Sequence, residues 1–172
     1  MSTTARKTAA AIPDPLPLWL PPVLLTAFYA AGAAYFDVTH NFPIGDSWAY
    51  QRSLELLAEH GRLRLSEFSE SSLVGQLLLA APFCLLLSAK PVVVNGVVYA
   101  MSLSSVLLLY AAQRRMRFRR GPALLGALTL AANPIMLAQS VAFDTEVPFV
   151  FVSCAGLLAL AQWDRTRRPL FA

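Results

Sequence analysis

Uncharged residues fall in long blocks, 15–36, 71–89, 91–113, 121–143 and 147–163, divided by short segments rich in Arg or in acids. A spanning helix needs roughly 17–25 mostly apolar residues, so each block is long enough to compete for a bilayer. The segment from residue 46 reads differently. Tyr50, Leu54 and Leu57 recur at helical spacing while Arg52, Glu55 and Glu59 fall on the other face, which predicts an amphipathic helix begun near Asp46 and ended by Gly61. Such a helix lies flat at a membrane interface, with Trp48 and Tyr50 at headgroup depth.

The cations decide which blocks cross, because Lys and Arg near membrane ends stay on the cytoplasmic side. If all the blocks crossed from a cytoplasmic amino terminus, the loop with Arg114, Arg115, Arg117, Arg119 and Arg120 would lie outside. If block 71–89 stays on the outer side as an interfacial or re-entrant element, Arg6, Lys7, those loop arginines, Arg165, Arg167 and Arg168 all return to the cytoplasm. Only Arg52, Arg62, Arg64 and Lys90 then remain outside. The expectation is an all-α membrane protein of about four spans, near 16–36, 92–112, 121–141 and 147–163, with an outer loop over 37–91. Its parts are a cytoplasmic tail at 1–15, one transmembrane domain at 16–168 and a truncated tail at 169–172.

Composition agrees: of the 172 residues 56% are hydrophobic and 14% charged, where a soluble domain carries about a quarter charged residues. The formal charge of +4 does not indicate nucleic acid, since the basic residues cluster at block ends. Cys84 and Cys154 lie far apart inside apolar blocks and read as packing residues rather than a metal or redox pair. Arg6 and Lys7 before block 15–36 would suit a signal peptide, but that core is too long and is interrupted by Pro17, Pro21 and Pro22. A phosphate loop and a metalloprotease histidine pair are both lacking, and His60 before Gly61 reads as a helix-end cation.

The acids Asp37, Asp46, Glu55, Glu59, Glu67, Glu70, Asp144 and Glu146 all fall on the outer side of this topology. Asp46 has two readings, a helix N-cap or a functional carboxylate. Asp144, immediately outside the third span, favours the second, because both acids then share one aqueous compartment. Such carboxylates take a proton from a nucleophile or hold a divalent cation against phosphate oxygens.

The order of features over 16–168 resembles the amino-terminal part of polytopic C-type glycosyltransferases, the superfamily of protein mannosyltransferases, lipid A aminoarabinose transferases and Rgt-like galacturonosyltransferases. The likeness rests on a first span followed by a long outer loop opening on Gly45-Asp46-Ser47-Trp48-Ala49-Tyr50. A span running through Leu107-Leu108-Leu109-Tyr110 into Arg114-Arg115 comes next, then one bearing Asn133-Pro134 and closed by Asp144. Ser47 replaces the second acid common in relatives, and Glu70-Ser71-Ser72-Leu73 replaces their histidine or proline. The resemblance implies a transfer of sugar from a polyprenyl phosphate or diphosphate donor to an acceptor on the outer face of the bacterial inner (plasma) membrane. Asp46 would be the base, and Asp144 would orient the acceptor or hold a divalent cation, Mg or Mn, with Asp46 where one is used. Glu146, Trp48 and Tyr50 would contact substrate, Trp48 by stacking. Relatives have at least about eight spans, so the chain is expected to be an amino-terminal fragment, inactive alone and completed by a downstream half. The alternative is a non-catalytic polytopic protein or accessory subunit whose acids cap helices; a transporter fragment is disfavoured because no span carries an ionisable residue near its middle.

Overall fold

Pro21 and Pro22 set where the first helix starts: they sit in its opening turn, where the first four backbone N–H groups lack intrahelical acceptors and a missing N–H costs nothing. In a computed structural model describing residues 14–36, 46–62, 64–65 and 74–166, α1 runs Leu20–Phe36, four residues later than the expected start at 16. Residues 16–19 form the turn before it, in which Leu20 N donates to Pro17 O at 3.3 Å. The chain continues through α2 (Ser47–His60), α3 (Gly75–Leu86), α4 (Pro91–Arg115), α5 (Arg120–Ala131), α6 (Pro134–Gln139) and α7 (Glu146–Thr166). Among the described residues there are these seven helices and no strand, an all-α architecture as the sequence indicates. The expectations for Arg6, Lys7, Asp37, Glu67, Glu70, Ser71-Ser72-Leu73, Arg167 and Arg168 fall outside the described residues.

Two helices, Pro91–Arg115 and Glu146–Asp164, are long and apolar enough to cross a membrane, and Leu20–Phe36 and Gly75–Leu86 are shorter apolar helices. The 12 residues of α3 rise about 18 Å, well short of a hydrocarbon core about 30 Å thick, which fits the reading of this block as an element that does not cross. The expected continuous span at 121–141 is corrected: it is broken into α5 and α6. Pro134 cannot donate to the carbonyl of Leu130 and would clash with it. Asn133 therefore starts a new helix, its side-chain oxygen accepting from Ile135 N at 2.9 Å and Met136 N at 3.2 Å.

Helix α4 is the spine. Along its second half Val106 and Tyr110 pack with Leu25 and Tyr29 of α1 and with Ala123, Ala127 and Ala131, a ridge of small residues on α5. Along its first half Val94, Val97, Val98 and Met101 pack with Tyr50 and Leu54 of α2, Leu77, Ala80 and Cys84 of α3, Met136 of α6, Phe143 just before α7, and Val147 in its first turn. These contacts run α1 and α5 antiparallel to α4 and α7 parallel to it. Cys84 and Cys154 are buried free thiols, as expected of packing residues. Large apolar side chains face outward from several helices, among them Phe28, Leu78, Leu86, Leu125, Phe149 and Leu160. A monomer in water rarely exposes so much apolar surface.

The α1–α4 seam is closed by polar groups that satisfy one another. Tyr29 Oη lies 2.8 Å from Ser102 Oγ, and Tyr99 Oη donates to the Tyr29 carbonyl at 2.5 Å. Gly32 lets Tyr99 reach that carbonyl, since a Cβ there would lie 2.8 Å from Tyr99 Oη. Gly126 is similarly tight, a Cβ meeting Gln113 Nε2 at 2.6 Å, but Gln113 ends in a flexible amide. Gly32→Ala is therefore expected to lower stability by about 1–3 kcal/mol through overpacking, and Gly126→Ala by less. Thermal unfolding of the two variants in detergent checks this; equal melting temperatures would mean that Tyr99 yields as readily as Gln113.

Candidate site at the acidic end

The two ends of α4 differ in charge. At its carboxyl end Asp14 Oδ2 accepts from the backbone N–H of Arg120 at 2.8 Å and lies 3.4 Å from Arg114 Nη1 and 3.6 Å from Arg120 Nε. Arg120 also donates to the carbonyl of Leu16, and Arg114 to that of Phe118. The segment before α1 and the arginine loop between α4 and α5 thus share one end of the unit. Sequence reasoning assigns Asp14 no role; a partner a hundred positions away leaves no local signal.

At the other end the starts of α2 and α7 come together. Gly61 ends α2 as expected, at a left-handed φ of 66° with its N–H on Leu57 O at 2.9 Å, and this fixes the helix with Asp46 at its head. The backbone carbonyl of Asp46 receives Ala49 N at 2.9 Å and Tyr50 N at 3.2 Å, but its carboxylate makes no capping bond to α2. The N-cap reading of that side chain therefore does not account for it. On α2, Arg52 pairs with Glu55 at 2.9 Å on the exposed face, as the amphipathic pattern required.

Asp144 stands just before α7. Its Oδ1 accepts from Thr145 N at 2.8 Å, and the Thr145 hydroxyl reaches Glu146 Oε2 at 3.4 Å. Burial pushes the Asp144 carboxyl above its ordinary value, the Thr145 bond pulls it back, and the charges of Glu146 and Asp46 push it up again. Repulsion from Asp46 is felt at Asp144 because residues about a hundred positions apart have been brought within Coulomb range by Phe143 and Val147 packing in one cluster with Tyr50.

The remaining expected site residues separate. Glu146 is exposed beside Asp144, and Trp48 is 45% exposed on the first turn of α2. Tyr50 is corrected: at 2% exposure it is a core residue against α3 rather than a headgroup-depth or substrate contact, because α3 covers the face of α2 expected to meet lipid. The donor set suits Mg or Mn in kind, but among the described residues no three His, Cys, Asp or Glu side chains converge to hold an ion.

Sequence reasoning also misses Gln76. It lies at the start of α3, is 3% exposed, and its Nε2 has no hydrogen-bond partner. It lines a groove of about 640 Å³ between α3 and α7 whose other polar residues are Thr145 and Glu146. A glutamine inside an otherwise apolar block was the available signal.

No family model matches the chain, and no curated protein or solved structure is significantly similar to it.

A carboxyl that holds its proton more tightly when folded loses stability on ionising, so the Asp144 contribution falls as pH rises from 3.8 through the folded value. Asp144→Asn is expected to remove that loss, matching or exceeding the wild-type melting temperature at neutral pH. Asp46→Asn and Glu146→Gln should each shift the Asp144 titration downward, read by carboxyl ¹³C NMR. An Asp144 titration indifferent to Asp46→Asn would place the two acids out of range of each other.

Proposed function

We propose that the chain crosses a bilayer about four times, by α1, α4, the α5–α6 pair and α7, with the arginine end in the cytoplasm and the acidic end outside. In this reading it is the acceptor-activating part of a C-type membrane glycosyltransferase, using a polyprenyl-linked sugar donor. The supporting observation is that Asp46 and Asp144 share the end of α4 opposite its arginines. That is the arrangement expected if cations stay inside and the chemistry faces outward.

The step would be an inverting displacement. The acceptor hydroxyl oxygen bonds to the anomeric carbon while its proton passes to Asp46. The bond from that carbon to the phosphate oxygen breaks, and polyprenyl phosphate or diphosphate leaves with the electron pair. Asp144 binds the acceptor and orients it, a role suited to a half-buried carboxyl with raised proton affinity. Glu146 is exposed beside Asp144, and Trp48 is exposed on the first turn of α2. Mg or Mn would supply charge neutralisation at the leaving phosphate, but the two acids alone do not complete a coordination shell.

One observation favours the non-catalytic alternative: the bond from Thr145 N to Asp144 is that of a carboxylate stabilising the start of α7. The two readings part in a transfer assay on native membranes with polyprenyl-linked sugars. Asp46→Asn is expected to lower transfer about 100-fold or more, the usual worth of a general base, and Asp144→Asn to raise KM for the acceptor. Wild-type transfer by the Asp46 variant, at equal protein level, would remove that residue from the chemistry.

A further inference from the structure

We infer that the groove between α3 and α7 binds a neutral acylglycerol, an uncharged lipid with a free hydroxyl beside an ester carbonyl. The inference deepens the reading above by naming an acceptor class, and rests on it only for that step; the binding stands without transfer.

The groove has the size of a small-molecule site, within the usual range of about 300–1,000 Å³. Its wall is apolar and its lip is open: Leu78 is 63% exposed, Phe149 73% and Val152 56%. A hydrocarbon chain can slide in from the side where lipid would lie.

The polar end is asymmetric. On the α3 side stands Gln76, with a sealed amide nitrogen that lacks an acceptor, at the head of a helix with no acidic residue in its first turn and no side-chain cap. Native structures seldom leave such a donor unmatched, and a ligand carbonyl reached by a turn of the amide would satisfy it. On the α7 side Glu146 offers the complement, a carboxylate that accepts from a hydroxyl. An ester carbonyl toward Gln76 and a hydroxyl toward Glu146 are the two groups an acylglycerol presents side by side. Glu146, the one acid among the lining residues, disfavours a phosphate headgroup seated beside it in the groove.

The test uses the whole chain in nanodiscs and a monoacylglycerol bearing a diazirine in its acyl chain, with photoadducts mapped by peptide mass spectrometry. Adducts are expected on α3 and α7, displaced by unlabelled monoacylglycerol and about tenfold less well by the lysophosphatidic acid of equal chain, which differs by its phosphate. Gln76→Leu should weaken labelling roughly three- to tenfold, the worth of one hydrogen bond. Val152→Trp, on the exposed lip where folding is not at stake, should abolish it. Labelling that survives Val152→Trp, or that Gln76→Leu leaves unchanged, overturns the inference, as does lysophosphatidic acid competing equally or better. Asp46→Asn should label like wild type. Lost transfer with retained labelling supports both readings. Retained labelling with no transfer on native membranes, wild type included, leaves this site standing and removes the enzymatic one.

Discussion

Asp14 holds Arg114 at the end of α4 and Arg120 at the start of α5, and that partly buried ion cluster decides which end of the unit is which. Its carboxylate also receives the first backbone N–H of α5, so one side chain closes the turn between two helices and ties the segment before α1 to it. Guanidinium groups never give up their charge and are costly to carry into hydrocarbon. Once they are fixed at one end of α4, the 25 apolar-rich residues of that helix carry everything packed on its other half to the opposite end.

Two helix starts arrive there. Helix α2 brings Asp46, Asp144 leads into α7, and the positive ends of both helices favour carboxylates beside them. Like charges would otherwise drive such acids apart; hydrophobic packing of Tyr50, Phe143 and Val147 against α4 holds them in range. The proposed chemistry and the proposed lipid site both draw on this contest. A carboxyl that packing keeps close to other acids has raised proton affinity, and the neighbouring Glu146 would set the sign of headgroup proposed for the groove.

The helical content and the amphipathic α2 with its Gly61 stop were legible because they rest on local rules, spacing and a left-handed cap. The charge rule keeps the α3 block from crossing, and the shortness of its 12-residue helix agrees with that expectation. The break at Asn133-Pro134 is visible as a motif but reads as a feature within one helix. A proline inside an apolar block can kink or end a helix, and here the Asn133 side chain, by capping α6, ends α5. Tyr50 was misplaced because sequence shows the apolar face of α2 but not that α3 covers it in place of lipid. Asp14 was invisible for a different reason, and Gln76 showed only as a polar break in an apolar block. Their roles depend on atoms brought from distant parts of the chain, which no window along the sequence contains.

The two ends of α4 must face different compartments for the site to work as proposed. With Cys84 and Cys154 replaced by alanine, single cysteines at Trp48 and Arg117 would be probed in intact cells with a membrane-impermeant maleimide. Modification at position 48 from outside, and at position 117 only after the membrane is opened, is the predicted result. Equal reactivity of both positions from the same side would contradict it.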